Sequence, residues 1–371
     1  MVIGNANVFV NGEFRKASVT IDGDKIVYIG APGVPCDVDA EGKYLVPGFV
    51  DIHTHGAMNE DFSDGKQSGL TKLSRYYAKN GVTSFVATTM TLKEETLLPA
   101  MKAIRNFRRP QKGAKCAGIH LEGPFLSYAK RGAQAAENLH APDAGMFHRL
   151  NKASGNRIRL VTVAPEEPGA MEFIREISKI CTVSLGHTMA DYDTAISAFE
   201  AGASHATHLF NGMPPFLHRA PGVVGAAFDC GATVELICDG LHIHPSAVRV
   251  AHQMFGKNFV AISDSLRCAG MPDGQYELGG QPIEMNSGKA TLLGTDTLAG
   301  SSTNLLEEVR NLVRFGISLE AAITAVSTAP AKAICAGWRI GKIAPGYEAD
   351  FLLLTPKLDL SAVYIDGEQI V

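Results

Sequence analysis

A chain of 371 residues, 46% of them hydrophobic, can bury a large core and is long enough for one big domain plus a small one. Its 34 basic and 38 acidic residues give a formal net charge of −4 and form no long runs, which excludes an electrostatic footprint for nucleic acid or an anionic membrane. We expect an ordered globular protein whose charged groups act locally.

The cysteines and the N-terminal stretch predict a cellular compartment. Seven cysteines occur without a CxxC pair, as expected for free, buried thiols in a reducing environment. The stretch MVIGNANVFVNGEF lacks a basic segment followed by a long apolar one, and no run approaches the roughly 20 apolar residues of a membrane span. We therefore predict a cytoplasmic protein without a membrane segment.

Both ends of the chain have the pattern of antiparallel sheet. Apolar and polar residues alternate around the turn pairs Asn11-Gly12 and Asp22-Gly23. The C-terminal segment has the same alternating pattern around Asp366-Gly367. Neither end is long enough to fold alone. We predict that residues 1–48 and 342–371 join into one small β-sandwich domain.

The middle of the chain, residues 49–341, alternates short apolar runs with segments of helical periodicity. Parallel strands that are buried on both faces read as continuous apolar runs, and eight of them alternating with helices predict a (β/α)8 barrel. The eight runs are YLVPGFVDIH, TSFVATTM, AKCAGIHLEG, IRLVTVAPE, CTVSLGHT, SHATHLFN, TVELICDG and NFVAISDS.

A doubly wound open sheet shares this alternation, but the ends of the runs favour the barrel. Six of the eight runs end in side chains that bind metals or move protons: His53 and His55, Glu122, His187, His208, Asp239 with His242, and Asp264. In a barrel the carboxyl ends of all strands open onto one face, where active sites are built, whereas an open sheet would spread these groups along its edge.

The ends of four of these runs predict a metal centre. A catalytic zinc site takes histidine nitrogens and carboxylate oxygens and leaves a position open for water. His53, His55, His187 and His208 with Glu122 supply enough ligands for two ions, and Glu122 is the natural bridge because a carboxylate offers one oxygen to each. His120 lies within a strand, where we expect a supporting or packing role.

Asp264 in AISDSLRCAG has two interpretations. An aspartate after a strand is often the N-cap of the next helix. Beside a metal ion that activates water, however, a carboxylate can take the proton of that water and give it to a leaving amine. Because the other strand ends already indicate a metal, we favour the general acid/base role.

Several motifs resemble the amidohydrolase superfamily, in the same order and over essentially the whole chain: PGFVDIHTHG, HLEGPF, GHT, THLFNGM, DGLH, ISD, LAGS and GKIAPGYEADFLLL. DIHTHG and the last motif mark the superfamily, whereas HLEGPF with THLFN is specific to one branch. The resemblance implies a metal-dependent hydrolase that removes acetate from N-acetyl-D-glucosamine 6-phosphate, a phosphorylated amino sugar.

The resemblance also implies roles for individual residues. The main metal ion would be held by Glu122, His187 and His208, and a second by His53 and His55, with Asp264 as the acid/base group. Zinc is favoured, and iron, manganese and cobalt suit the same donors. The substrate-binding positions would be Gln134, Asn211, Gly212, Arg219, His242 and Ala299. From composition alone, a solvated surface side chain and a phosphate ligand are equally good interpretations of Arg219. The resemblance implies that it binds phosphate and could reach across the interface of a homodimer.

One position departs from the family pattern. Where many members have histidine in a KGAH segment after HLEGPF, this chain reads KRGAQ, with Gln134. Glutamine can donate a hydrogen bond to a substrate carbonyl but cannot donate a proton. The second metal ion would then polarise the carbonyl.

Three alternatives stay open at this stage. The first is an amidohydrolase acting on a cyclic amide or an N-acyl amino acid; many of these need a lysine after the fourth strand, and LVTVAPEEPGA has none. The second is a non-catalytic relative, which would be expected to lose ligands that this chain retains. The third is a deacetylase of N-acetyl-D-galactosamine 6-phosphate, which differs from the favoured substrate in the orientation of one hydroxyl.

Overall fold

The computed structural model describes residues 1–371. The strands are β1 Val2–Val10, β2 Glu13–Asp22, β3 Lys25–Gly30, β4 Val38–Asp39, β5 Tyr44–Pro47, β6 Phe49–Thr54, β7 Gly56–Ala57, β8 Glu60–Asp61, β9 Val82–Thr89, β10 Lys115–Glu122, β11 Ile158–Val163, β12 Thr182–Leu185, β13 His205–Ala206, β14 Thr233–Ile237, β15 Phe259–Ile262, β16 Gly274–Leu278, β17 Gln281–Asn286, β18 Lys289–Leu292, β19 Phe351–Leu354, β20 Leu360–Ile365 and β21 Glu368–Gln369. The helices are α1 Gln67–Lys79, α2 Glu94–Asn106, α3 Ala144–Ala153, α4 Ala170–Ile177, α5 Tyr192–Glu200, α6 Gly222–Asp229, α7 Pro245–Phe255, α8 Leu305–Arg314, α9 Leu319–Val326 and α10 Thr328–Ala333.

Strands from both chain ends join in one sheet, which confirms the prediction that the two ends associate. Its order is β21-β20-β19-β5-β1-β2-β3, with β4 paired to β1. The turn between β1 and β2 is Asn11-Gly12, and both residues have positive φ, which suits a two-residue hairpin turn. This sheet has its own apolar cluster, including Ile3, Leu45 and Phe351. The domain division at residues 48 and 342 stays a prediction.

The eight predicted apolar runs form a parallel barrel. The strand order is β6-β9-β10-β11-β12-β13-β14-β15, and every neighbouring pair is parallel. The ladder does not continue from β15 to β6. Instead the main-chain N–H of Asp264 donates to the carbonyl of His53 at 2.9 Å, and Ser263 Oγ donates to Asp51 Oδ2 at 2.6 Å. These bonds close the seam between the first and last barrel strands.

Several helices around the barrel begin at side-chain caps. The carboxylates of Asp143 and Asp191 accept the main-chain N–H groups of Met146 and Thr194, at the starts of α3 and α5. Asn304 caps α8 in the same way. Each cap satisfies a donor that the helix cannot, and so fixes where the chain turns back from a barrel strand.

A three-stranded antiparallel sheet, β16-β17-β18, covers the carboxyl-end face of the barrel. Its apolar side chains Leu278, Ile283 and Met285 pack on Met90 and Leu266, which follow two barrel strands. The sequence analysis did not predict this sheet. Leu278 of this sheet forms part of the wall of the cavity at the carboxyl ends of the barrel strands.

The cysteines are all free. Only Cys238 and Cys268 are buried, whereas Cys230 and Cys335 are exposed, so the expectation of seven buried thiols was wrong. These exposed thiols lie beyond helix ends, where the chain returns to the surface. No helix is long and apolar enough to cross a membrane.

Candidate active site

A cavity of about 230 Å³ opens at the carboxyl ends of the barrel strands. Nine of the predicted site residues line it: His55, Glu122, Gln134, His187, His208, Asn211, Gly212, His242 and Asp264. His53 is fully buried behind this wall, and Ala299 is buried between two lining residues, Leu298 and Gly300. Arg219 lies on an exposed loop and does not line the cavity of its own chain.

The chain turns sharply where it presents these side chains. His187, His208 and Asp264 each lie two residues beyond the end of a barrel strand. All three have positive φ, at 48°, 27° and 46°, in a region that L-residues rarely adopt. Such backbone costs on the order of 1–3 kcal/mol per residue and persists only where the surroundings hold it. The turns aim the three side chains into the cavity, and no helix follows Asp264 for it to cap.

The first ligand group consists of Glu122, His187 and His208. Oε1 of Glu122 lies 3.3 Å from Nε2 of His187 and 3.1 Å from Nε2 of His208. The two Nε2 atoms lie 3.0 Å apart. Nδ1 of His187 lies 2.8 Å from the carbonyl of Lys130, and Nδ1 of His208 lies 3.2 Å from that of Asn211. Because a carbonyl accepts hydrogen bonds, each Nδ1 carries a proton, and the two Nε2 atoms beside the carboxylate are the nitrogens that can bind a shared cation.

The second ligand group consists of His53, His55 and Asp264. Oδ1 of Asp264 lies 3.5 Å from Nε2 of His53 and 3.3 Å from Nε2 of His55. Glu122 connects the two groups, since its Oε1 lies 3.3 Å from Nε2 of His53 and its Oε2 lies 3.1 Å from Nε2 of His55. Six side chains therefore surround one space with donors that suit two divalent ions.

The electrostatics of the cavity wall favour positive charge. Burial alone would raise the pKa of Glu122, but the imidazoles of His53, His187 and His208 outweigh it and hold that pKa well below its usual range. Burial also opposes protonation of His55, yet Asp264 and Glu122 raise its pKa to about 9. The cluster thus stabilises a cation, whether a proton or a metal ion.

Two polar contacts hold side chains of the cavity wall in place. Nδ1 of His242 lies 2.7 Å from Oδ2 of Asp239, which leaves Nε2 of His242 free for a ligand. Gln134 donates from its amide nitrogen to Oε2 of Glu122 at 2.9 Å. Its amide therefore contacts the carboxylate of a candidate ligand as well as the cavity.

Sequence reasoning missed two contributions to the site. Glu235 lies inside the run TVELICDG and is completely buried, with Oε2 2.9 Å from Nδ1 of His53. A lone carboxylate in an otherwise apolar strand was the available signal. The second contribution comes from the sheet β16-β17-β18, which was not predicted. Leu278 of this sheet lines the cavity, together with Thr297 and Leu298, which follow β18.

The parallel barrel and the histidine–carboxylate cluster at its carboxyl ends define the class of metal-dependent hydrolases. Residues 44–370 match the Amidohydrolase family. The chain is 36% identical over 362 residues to an N-acetylglucosamine-6-phosphate deacetylase of Bacillus subtilis, covering 95% of this chain and 90% of that protein. It is also 36% identical to the human protein of that name over 344 residues, covering 89% of this chain and 84% of that protein.

Solved structures show the same relationship. The structure of N-acetyl-D-glucosamine-6-phosphate deacetylase from Mycobacterium smegmatis superposes with a TM-score of 0.94 at 33% identity, and all of both chains is covered. The protein of that name from Pasteurella multocida gives a TM-score of 0.93 at 30% identity, covering 99% of this chain and 98% of that chain. The chain therefore belongs to the amidohydrolase family and, within it, to the N-acetylglucosamine-6-phosphate deacetylases.

Proposed function

We propose that this chain hydrolyses the acetamido group of N-acetyl-D-glucosamine 6-phosphate to D-glucosamine 6-phosphate and acetate. The observation that carries the proposal is the convergence of Glu122, His187 and His208 within 3.0–3.3 Å of one another, in the same cavity as Asp264. Relatives that share this name over most of their length support the choice of substrate.

The metal would be one or two divalent ions, of which zinc is the first choice and iron, manganese and cobalt suit the same donors. Glu122, His187 and His208 would hold one ion, and His53 and His55, with Asp264 beside them, would hold the other. A bound ion would supply Lewis acidity, which lowers the pKa of water to about 7 and polarises a carbonyl group.

Asp264 is the proton carrier in this proposal. Burial raises its pKa, but the charges of His53 and His55 outweigh burial and lower it, so the carboxylate starts ionised. It accepts a proton from the attacking water as the water oxygen bonds to the acetyl carbon. It then gives that proton to the sugar nitrogen as the carbon–nitrogen bond breaks, which releases acetate and the amine.

The remaining lining residues would hold the sugar. Nε2 of His242, whose ring is fixed by Asp239, faces the cavity beside Asn211 and Gly212. Gly212 has φ of +61° and carries no side chain, so its main chain can approach a ligand oxygen closely. Ala299, buried at the rim, would contribute through its main chain.

Arg219 would bind the phosphate from the neighbouring subunit of a homodimer. Its loop is exposed and does not line the cavity of its own chain. Phe216 and Leu217 on this loop are 46% and 51% exposed, which suits an apolar contact between subunits. The proposed compartment is the cytoplasm, where seven free cysteines would stay reduced.

A metal analysis of the purified protein, paired with acetate-release assays, tests the proposal. We expect the rate with N-acetyl-D-glucosamine 6-phosphate to exceed the rates with its galactosamine epimer and with the unphosphorylated sugar, and a chelator to abolish all three. Faster turnover of the epimer would replace the proposed substrate. Equal turnover of the free sugar would remove the phosphate pocket, and full activity without metal would overturn the proposal.

A further inference from the structure

Glu235 lies at the centre of a buried network beneath the metal-ligand cluster. The residue is on β14, in the barrel wall, and its side chain is completely inaccessible to solvent. A carboxylate in such a place is costly unless other groups compensate its charge and hydrogen-bonding capacity. Its partners therefore indicate what it stabilises.

The first partner is His53 of the second ligand group. Oε2 of Glu235 lies 2.9 Å from Nδ1 of His53. An ionised carboxylate only accepts hydrogen bonds, so Nδ1 carries a proton, and Nε2 of His53, which faces Glu122 and Asp264, is left as the nitrogen that can bind an ion. This is the tautomer that a metal ligand needs.

The second partner is the main chain of His208 in the first ligand group. Its N–H lies 3.3 Å from Oε2 of Glu235, and His208 has φ of +27°. The next main-chain N–H, that of Leu209, donates to the carbonyl of Glu235 at 2.7 Å. Glu235 thus holds both ends of the strained turn that aims His208 at Glu122.

His205 contacts Glu235 from the opposite side. Nε2 of His205 lies 3.1 Å from Oε1 of Glu235, and both residues are completely buried. Nδ1 of His205 forms a hydrogen bond with Oγ1 of Thr233, which begins β14, the strand that carries Glu235. The carboxylate is therefore enclosed between His53 and His205.

We propose that Glu235 is a positioning residue of the metal centre, which holds the ring of His53 in its ligating tautomer and the main chain of His208 in its strained turn. The proposal rests on the metal-dependent function proposed above. Glu235 is completely buried and does not line the cavity, and it contacts one member of each ligand group, His53 and His208. Loss of Glu235 should therefore weaken metal binding at both positions.

The test compares Glu235→Met with the wild-type protein in titrations of the metal-depleted protein with Co²⁺, followed by visible absorption. We expect Co²⁺ affinity to fall about 10- to 100-fold and the absorption bands to change, as for other lost partners of ligands. At saturating Co²⁺, kcat should fall while KM stays near the wild-type value. Glu308→Met is the matched control, since Glu308 is equally buried and accepts from the main-chain N–H of Cys238, which is not a candidate metal ligand.

Glu235→Gln provides a second variant, which also serves if the methionine variant does not fold. Its amide oxygen can still accept from Nδ1 of His53, so Co²⁺ affinity should lie between those of the wild type and Glu235→Met. Wild-type Co²⁺ affinity and absorption in every folded Glu235 variant would overturn the positioning role. A wild-type protein that neither binds Co²⁺ nor releases acetate would overturn the proposed function instead.

Discussion

The side-chain amide of Gln134 is fixed at both ends, with its nitrogen 2.9 Å from Oε2 of Glu122 and its oxygen 2.9 Å from the main-chain nitrogen of Thr91. Glutamine donates to the carboxylate without contributing charge. Gln134 therefore orients Glu122, the side chain that connects the two candidate ligand groups, in addition to facing the cavity.

Gln134→Met should weaken metal binding more than substrate binding. The similar-sized apolar side chain removes a hydrogen bond to a charged group, worth about 1.5–3 kcal/mol, which corresponds to a roughly 10- to 100-fold loss of affinity. Competition for the metal ion with a chromophoric chelator measures this loss of affinity. A raised KM with unchanged metal affinity would instead make Gln134 primarily a substrate contact.

Asp264→Asn should lower kcat by about 10²- to 10⁴-fold, because an amide cannot carry the proton between water and amine. KM should change little. Since Oδ1 of Asp264 lies 3.3 Å from Nε2 of His55, we also expect weaker binding of the second ion, so kcat is measured at saturating metal. A kcat within tenfold of the wild-type value would remove Asp264 from this role.

Gly212→Ala should disturb the first ligand group. A Cβ at Gly212 would lie 3.0 Å from Nδ1 of His187, the atom that bonds to the carbonyl of Lys130. Gly231→Ala is the matched control, because φ is +64° there against +61° at Gly212 but no atom lies within 4 Å. Both variants should lose about 1–2 kcal/mol of unfolding free energy from backbone strain, and only Gly212→Ala should lose metal affinity. Equal metal affinity in the two variants would contradict this contact.

Mixed dimers of Arg219→Ala and Asp264→Asn subunits should regain activity that neither variant has alone. If Arg219 acts across the interface, random mixing leaves roughly a quarter of the sites with both residues intact, given a two-fold symmetric dimer. Acetate release after coexpression or subunit exchange measures this recovery. Activity equal to the mean of the two separate variants would place Arg219 in its own subunit's site or outside catalysis.

Asp350→Asn should change how stability depends on pH. Burial raises the pKa of Asp350 to about 6 from an ordinary 3.8, against the opposing charge of Lys115. The folded chain therefore holds this proton more tightly than the unfolded chain, and the resulting stabilisation is lost as pH rises from about 4 to about 6.

Asp350→Asn has no carboxyl group at this position, so it does not lose this stabilisation as pH rises. Its unfolding free energy relative to the wild type should increase by about 2.4 kcal/mol between pH 4 and pH 7, as urea unfolding can measure. Asp366→Asn is the control, because it removes another partner of Lys115 without removing the buried carboxyl. A difference between Asp350→Asn and wild type that stays constant with pH would contradict the effect of burial.

Much of the fold was predictable because it depends on local periodicity. Parallel strands buried on both faces leave continuous apolar runs, and all eight runs became barrel strands. The sheet over the cavity was missed because GQYELGGQPIEMN mixes polar and apolar residues, and its burial depends on Met90, far away in the chain. Contacts of that kind leave no local pattern.

The candidate ligands were predictable for a related reason, since strand ends converge whatever the details of packing. Which contacts form between them was not. The pairing of Glu235 with His53 joins β14 to β6 across the barrel, and the sequence shows only a carboxylate within an apolar run. The distance of Arg219 from its own cavity likewise depends on the path of an exposed loop.

The gap in the barrel ladder between β15 and β6 lies directly beneath the cluster. His53 belongs to one of these strands and Asp264 follows the other, yet both belong to one ligand group. An ion bound there would connect the first and last strands of the barrel. At a free concentration 100 times its dissociation constant, it would add about 2.7 kcal/mol to the unfolding free energy. Metal supply would then govern the lifetime of the folded enzyme as well as its turnover, and amide hydrogen exchange along the two strands should slow on loading.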